Sequence, residues 1–225
     1  MWPWLMLFPL VAVATRDSGA SGPGIKEVHL SAAWVRAKAA SMREAWVRQY
    51  GREPTAREVG LSLLSPIVET GAGDAKGLWA GKHDWGAILL RVATRAEVNA
   101  MAVDPKKRQS KVALANLLAT GMQVPMTPGP GGAPAVLSAD YGPRGYYWAW
   151  FRAYADDVSG AQEWLRVALG KQLQRSAAVV VLRGGTPAEL AHALKAQHYY
   201  YLAEPKYARA LEARWPSVKR ALGIV

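Results

Sequence analysis

Between residues 31 and 50, Trp34, Met42, Trp46 and Tyr50 fall at multiples of four, with Arg and Lys between them. That spacing predicts a helix with one core-facing stripe. After Gly51-Arg52-Glu53-Pro54, the pair Thr55 and Glu58 matches a capping box, and Val59, Leu63, Leu64, Ile67 and Val68 follow at helical spacing. A second helix is therefore predicted, stopped just past Glu69 by Gly71 and Gly73, because glycine takes left-handed backbone angles without a Cβ penalty. Pro66 removes one helical hydrogen bond and predicts a kink one turn before Glu69.

Further along, no strands are predicted immediately after Ile88. Thr94 with Glu97 and the run from Asp104-Pro105 to Gly121 predict basic helices, and the proline and glycine stretch from Gln123 to Val136 predicts a loop. Asp140 to Gly145 reads as a turn, with Asp140 at the tip of a hairpin. The next residues alternate Tyr147, Ala149 and Phe151 against Trp148, Trp150 and Arg152, as a short strand would. Asp157 then caps a helix with an Ala161, Trp164, Leu165, Leu169 and Leu173 stripe. Thr186 and Glu189 box another, and Pro205 opens a last helix bearing Tyr207, Leu211 and Trp215. The fold class expected is mainly α (α+β), a helical lobe with a small hairpin or insert lobe.

Residues 2–14 are apolar throughout and break into a linker composition over 15–29. A run of 13 is short for a bilayer span. It fits a signal-peptide core with Ala12-Val13-Ala14 as a cleavage site, although no Lys or Arg precedes it. The reading is an export or anchor segment with membrane contact through residues 2–14, followed by one domain over 30–225 with an insert at about 94–146.

Lys and Arg outnumber Asp and Glu by 28 to 17, a net charge of +11. An anionic partner suits that balance, whether nucleic acid, membrane or cell-wall polymer. The aromatics do not interleave with the Lys/Arg runs, which argues against nucleic acid. With 10 Trp and 9 Tyr against 2 Phe, the chain favours rings that stack on sugars while hydrogen-bonding at the rim. Cysteine is absent, so disulfides and thiol catalysis are excluded. His29, His83, His192 and His198 show no mutual ligand spacing, no phosphate loop is present, and no metal or cofactor is expected.

Glu69 is the candidate acid. A carboxyl in the last turn of an apolar helix meets the negative end of the helix dipole, and partial burial adds to this; both favour the protonated form that a general acid needs. A solvated helix-end glutamate has the same local pattern. What shifts the balance is the segment after it, where Trp79, His83, Asp84 and Trp85 lie between glycines, a composition suited to a sugar or ligand cleft. Tyr199, Tyr200 and Tyr201 add three consecutive phenols, at least one of which should face that cleft.

Four pieces, in order, resemble the glucosaminidase-like peptidoglycan hydrolases of the lysozyme superfamily. They are Glu69-Thr70-Gly71, His83-Asp84-Trp85-Gly86-Ala87, Phe151-Arg152-Ala153-Tyr154 followed by Ser159, and Tyr201-Leu202-Ala203-Glu204-Pro205-Lys206-Tyr207. The resemblance spans about residues 30 to 220 and implies a lysozyme-like fold flanking a glycan cleft, with the peptidoglycan strand as partner and an exported location. It implies that Glu69 protonates the glycosidic oxygen, that Tyr201 lies near the cleaved sugar, and that Asp140 beside Tyr141 supplies the second carboxylate. Trp79, His83, Asp84, Trp85, Tyr141, Tyr154 and Tyr200 would then bind substrate. Asp140 stands where Glu is usual, His83 replaces an Asn, Tyr200 replaces a Gly, and residues 94–120 have no counterpart. A lytic transglycosylase and a non-catalytic glycan-binding protein are the competing readings.

Overall fold

The structure, a computed structural model, describes residues 26–74, 83–86, 88–92, 127–128, 134–142, 145–200 and 202–225. Trp79, Tyr201, the apolar segment 2–14 and the stretch 94–120 lie outside these residues.

Helix α1 spans Ala32–Tyr50, begun by the Ser31 side chain on the Trp34 N–H and ended by Gly51 at φ 68°. Its stripe buries Val35, Lys38, Ala39, Met42, Ala45 and Trp46, so the predicted apolar face also carries a lysine. Helix α2 spans Ala56–Thr70, opened by the Thr55–Glu58 box: the Thr55 N–H donates to Glu58 at 2.7 Å and the Glu58 N–H to Thr55 Oγ1 at 3.2 Å. One apolar face was expected on α2. Instead, polar Ser62, Ser65, Glu69 and Thr70 are buried along with the aliphatics, because α2 is the central rod against which the other helices pack. It runs without a break through Pro66, whose carbonyl accepts from Thr70 Oγ1 and the Ala72 N–H at the helix end. Gly71 at φ 60° then terminates it, as its sequence position predicts.

Helix α3 spans Asp157–Ala168 and carries Ala161, Trp164 and Leu165 into the core. Its cap is Asp156, not the expected Asp157, and the helix ends before Leu173, at Leu169. Helices α4 (Ser176–Leu182) and α5 (Pro187–Ala196) follow, the latter with the expected Thr186–Glu189 box. The single last helix expected after Pro205 is two: α6 (Glu204–Glu212) holds Tyr207 and Leu211, and α7 (Trp215–Leu222) starts at Trp215. Helix α2 packs against α1, α4, α5, α6 and α7, while α1 also covers α3 and α7. Residues 27–29, linker by composition, are tied to the domain: the Val28 N–H donates to Ala213 O and Glu27 pairs with Arg220, and at the domain's first residue the Leu30 N–H donates to Ser217 Oγ.

Beside the helices lies a four-stranded antiparallel sheet in the order β1-β4-β3-β2, with β1 at Leu89–Val92, β2 at Thr127–Pro128, β3 at Pro134–Gly142 and β4 at Gly145–Arg152. Among the described residues, the fold is thus mainly α with one small sheet. Strands β1, β2 and the first part of β3 fall where sequence predicted none. Their partners lie far along the chain: Leu89 pairs with Phe151 and Val92 with Ala149, with an irregularity between Leu89 and Arg91. Asp140 is not at the hairpin tip. It sits inside β3 opposite Tyr147, and the ladder continues through Tyr141–Tyr146 to Gly142–Gly145. Consecutive residues Trp150 and Phe151 are both buried, so alternation does not sort inside from outside at that end of β4.

Candidate functional site

Ser65 and Glu69 lie four residues apart on α2 and so share a helix face. Glu69 is 3 % exposed and Ser65 fully buried. Two chain segments bring phenols to this face. The Tyr207 hydroxyl, on α6, donates to Ser65 Oγ at 2.9 Å and is also hydrogen-bonded to Glu69. The Tyr199 hydroxyl, just after α5, is hydrogen-bonded to Ser65 and accepts from Trp164 Nε1–H at 2.9 Å. Burial drives both phenols well above the usual value of 10, and the charge of Glu69 pushes each further. Tyr200 stacks on Tyr207 with centroids 3.8 Å apart and donates to Ala191 O at 3.0 Å; burial, then the charges of Glu204 and Glu69, raise its phenol too.

Tyr200 was expected to line a cleft and instead packs in the core. Tyr199 and Tyr200 are both buried, just after His198 leaves α5 with a left-handed φ of 57°.

The second part of the site is the loop 83–86. Gly86 backs directly onto the Tyr199 hydroxyl and Trp164, with room for no Cβ, since one placed there would lie 2.7 Å from that oxygen. Gly160 of α3 is tighter still, and a Cβ would fall 1.8 Å from His83 O. These two glycines let the loop lie flat on α3 beside the Glu69 network. Asp84 is 0 % exposed and accepts from the Gly86 N–H at 3.1 Å and the Ile88 N–H at 3.0 Å. Its carboxylate folds the loop, and a substrate-binding role does not fit it. Trp85, also 0 % exposed, belongs to the core rather than to a cleft wall.

His83, at φ 51°, is half-buried, and its Nδ1 lies 2.8 Å from Asp157 Oδ1. Freed from capping α3, Asp157 also accepts from Trp85 Nε1–H at 3.4 Å and from Lys38 Nζ at 2.5 Å. Lys38, 5 % exposed, reaches Asp74 at 2.9 Å, and Asp74 accepts from Trp34 Nε1–H at 2.8 Å. The buried lysine therefore clamps both ends of the glycine-rich segment to α1 and α3.

Desolvation works to raise the Asp157 carboxyl, but hydrogen bonds from Lys38 and His83 outweigh it and leave the group below its usual 3.8. The unfolded chain binds this proton first as pH falls, so the contribution of Asp157 is whole above about pH 4 and is lost below it. In thermal melts, Asp157→Asn should lower Tm at pH 6, and the gap from wild type should close as the pH falls below the usual carboxyl value of 3.8. A gap that stays constant with pH would show that Asp157 acts through packing alone.

Tyr154 is partly buried, and burial, then the charges of Asp84 and Glu163, raise its phenol; its hydroxyl has no hydrogen-bond partner among the described residues. Asp140 and Tyr141 are placed by the β3 backbone. Structure thus sets Tyr199 and Tyr200 within reach of the Glu69 charge and seats the loop of Asp84 and Trp85 on Tyr199 and α3, and it adds Ser65, Lys38, Asp157, Gly160 and Tyr207, which sequence reasoning had not assigned to the site. Two of these carried a signal. Lys38 falls in the stripe Trp34, Met42, Trp46, and Ser65 precedes Glu69 by one turn.

Among the described residues, no helix is long and apolar enough to cross a membrane, and no cluster of His, Asp or Glu is arranged to hold a metal ion. Compared with known proteins, the chain matches no family model, no curated protein and no solved structure.

Proposed function

We propose that this protein is an exported glycoside hydrolase of the cell-wall peptidoglycan, cutting β-1,4 bonds of the glycan strand with Glu69 as general acid. The observation that carries the reading is a buried carboxyl at the capped end of α2, hydrogen-bonded to Tyr207, with Tyr199 and Tyr200 within reach of its charge and the His83–Gly86 loop seated on Tyr199. Removal from water favours the neutral form of a carboxyl group, the form that can deliver a proton to a leaving oxygen. At 3 % exposure only an edge of Glu69 is reachable, so sugar binding has to open the cover over it. The lysozyme-like arrangement, with the helical body on one side of a glycan cleft and the β3–β4 hairpin on the other, belongs to the same proposal, as do Tyr201 near the cleaved sugar and the net charge of +11 against an anionic wall.

Hydrolysis needs a second carboxylate. The family resemblance gives that role to Asp140 on β3, which would activate water, while Asp84 accepts from two backbone N–H groups. A group carried on a hairpin suits inversion, where the two carboxyls stand roughly 6.5–9.5 Å apart with water between them. The same commitment of Asp84 gives weight to a lytic transglycosylase, which needs one acid because a sugar hydroxyl replaces water. Turbidity of purified peptidoglycan with mass spectrometry of the released fragments tests both. Reducing ends support the hydrolase, anhydro ends replace it with the transglycosylase, and glycan binding with no fragments removes the enzyme altogether.

A further inference from the structure

Four groups join Glu69 in one buried polar chain that crosses the core from α3 to α2. Trp164 Nε1–H donates to the Tyr199 oxygen, Tyr199 meets Ser65, Ser65 meets Tyr207, and Tyr207 meets Glu69. Trp164, Ser65 and Tyr207 are buried to 1 % exposure or less and Tyr199 to 2 %, so water does not complete these bonds. The ends of the chain differ in kind. An indole nitrogen only donates, and an ionised carboxylate only accepts. Each of the three hydroxyls between them has one proton and turns freely about its C–O bond.

With Glu69 ionised, that arithmetic orders the chain in one direction. Trp164 donates to Tyr199, Tyr199 to Ser65, Ser65 to Tyr207 and Tyr207 to the carboxylate. When Glu69 carries a proton, its O–H donates to Tyr207, and Tyr207 turns to donate to Ser65, whose Oγ lies 2.9 Å away. We propose that the Ser65–Tyr207 pair is a reversible hydroxyl relay that holds the Glu69 carboxyl in place and follows its change of charge, making Tyr207 a positioning residue for the acid. The inference rests on Glu69 being the acid in the proposed reaction. No proton leaves the chain along this path; the hydroxyls only turn, and the proton that Glu69 loses goes to the glycosidic oxygen.

Among the described residues, the ionisable groups that bear on Glu69 include Tyr199 and Tyr200 from the turn after α5 and Tyr207 from α6, with Asp84 of the 83–86 loop acting on Tyr199. Tyr207 is hydrogen-bonded to it. Its ring is held independently by the stack on Tyr200, so Tyr207→Phe removes the hydroxyl and keeps the packing.

The test is a carboxyl carbon NMR titration of Glu69 in wild type, Tyr207→Phe and Ser65→Ala, run beside pH profiles of wall lysis. Loss of the donor to the ionised form should move the Glu69 midpoint upward by about one pH unit in Tyr207→Phe. Ser65→Ala should move it the same way by less. The alkaline limb of the lysis profile should follow the midpoint, with kcat reduced and KM unchanged. A midpoint that stays put in both variants, with wild-type circular dichroism, overturns the relay. Wild type that lyses no wall while the midpoint still shifts sinks the hydrolase and leaves the relay standing.

Discussion

Replacing Glu69 with Gln should abolish wall lysis while the protein still folds. Gln has the shape of the carboxyl group, keeps an oxygen to accept from Tyr207, and brings an NH2 that Ser65 and Tyr207 can accommodate by turning their hydroxyls. What it lacks is an acidic proton. General acid catalysis typically contributes about 10²–10⁴-fold, so activity on purified peptidoglycan should fall by at least two orders of magnitude. Stability should change by no more than about 1–3 kcal/mol, the penalty for one imperfectly satisfied buried polar group. Zymography and turbidity give the first measurement, circular dichroism and a thermal melt the second. Asp140→Asn, altering a residue on the hairpin strand, should retain part of the activity. Full lysis by the Glu69→Gln protein would end the assignment of the acid.

Trp85→Ala should be the most damaging change to stability near the site. The side chain is fully buried, its indole N–H is held by Asp157, and the Lys38 ammonium lies 5.8 Å from the ring centroid. Truncating a buried Trp leaves a cavity and costs about 3–5 kcal/mol. For a chain of this size each kcal/mol moves Tm by roughly 2–4 °C, so a fall of about 10 °C is expected. Trp85→Phe, which keeps most of the ring, should lose less than half of that. Amide exchange should localise the damage to the 83–86 loop and the first turn of α3, because Gly160 and Asp157 hold the loop there. A drop under 2 °C would mean that the loop is not packed as the structure has it.

The helical framework was readable because its signals are local. The Thr55–Glu58 box, Gly71 and the Thr186–Glu189 box each act within one turn of the helix end they specify, and all three stand where the pattern put them. The sheet was not readable. The β1 ladder joins residues about sixty positions apart, and a run as short as Leu89–Val92 does not name such a partner. Asp156 and Asp157 are both competent caps; which one is used depends on Lys38 and His83 claiming the other.

Sequence alone fixed the chemistry available at the end of α2: one carboxyl, a left-handed stop, and an apolar rod to bury it. Tertiary structure decided the company it keeps. Two of the three consecutive tyrosines turned inward, Asp84 and Trp85 moved from cleft to core, and a lysine in an apolar stripe became the clamp. The reason is one of range. Caps and stops are set by neighbours in the chain, whereas the surroundings of a buried polar group are set by whichever distant donors can reach it once the helices have packed.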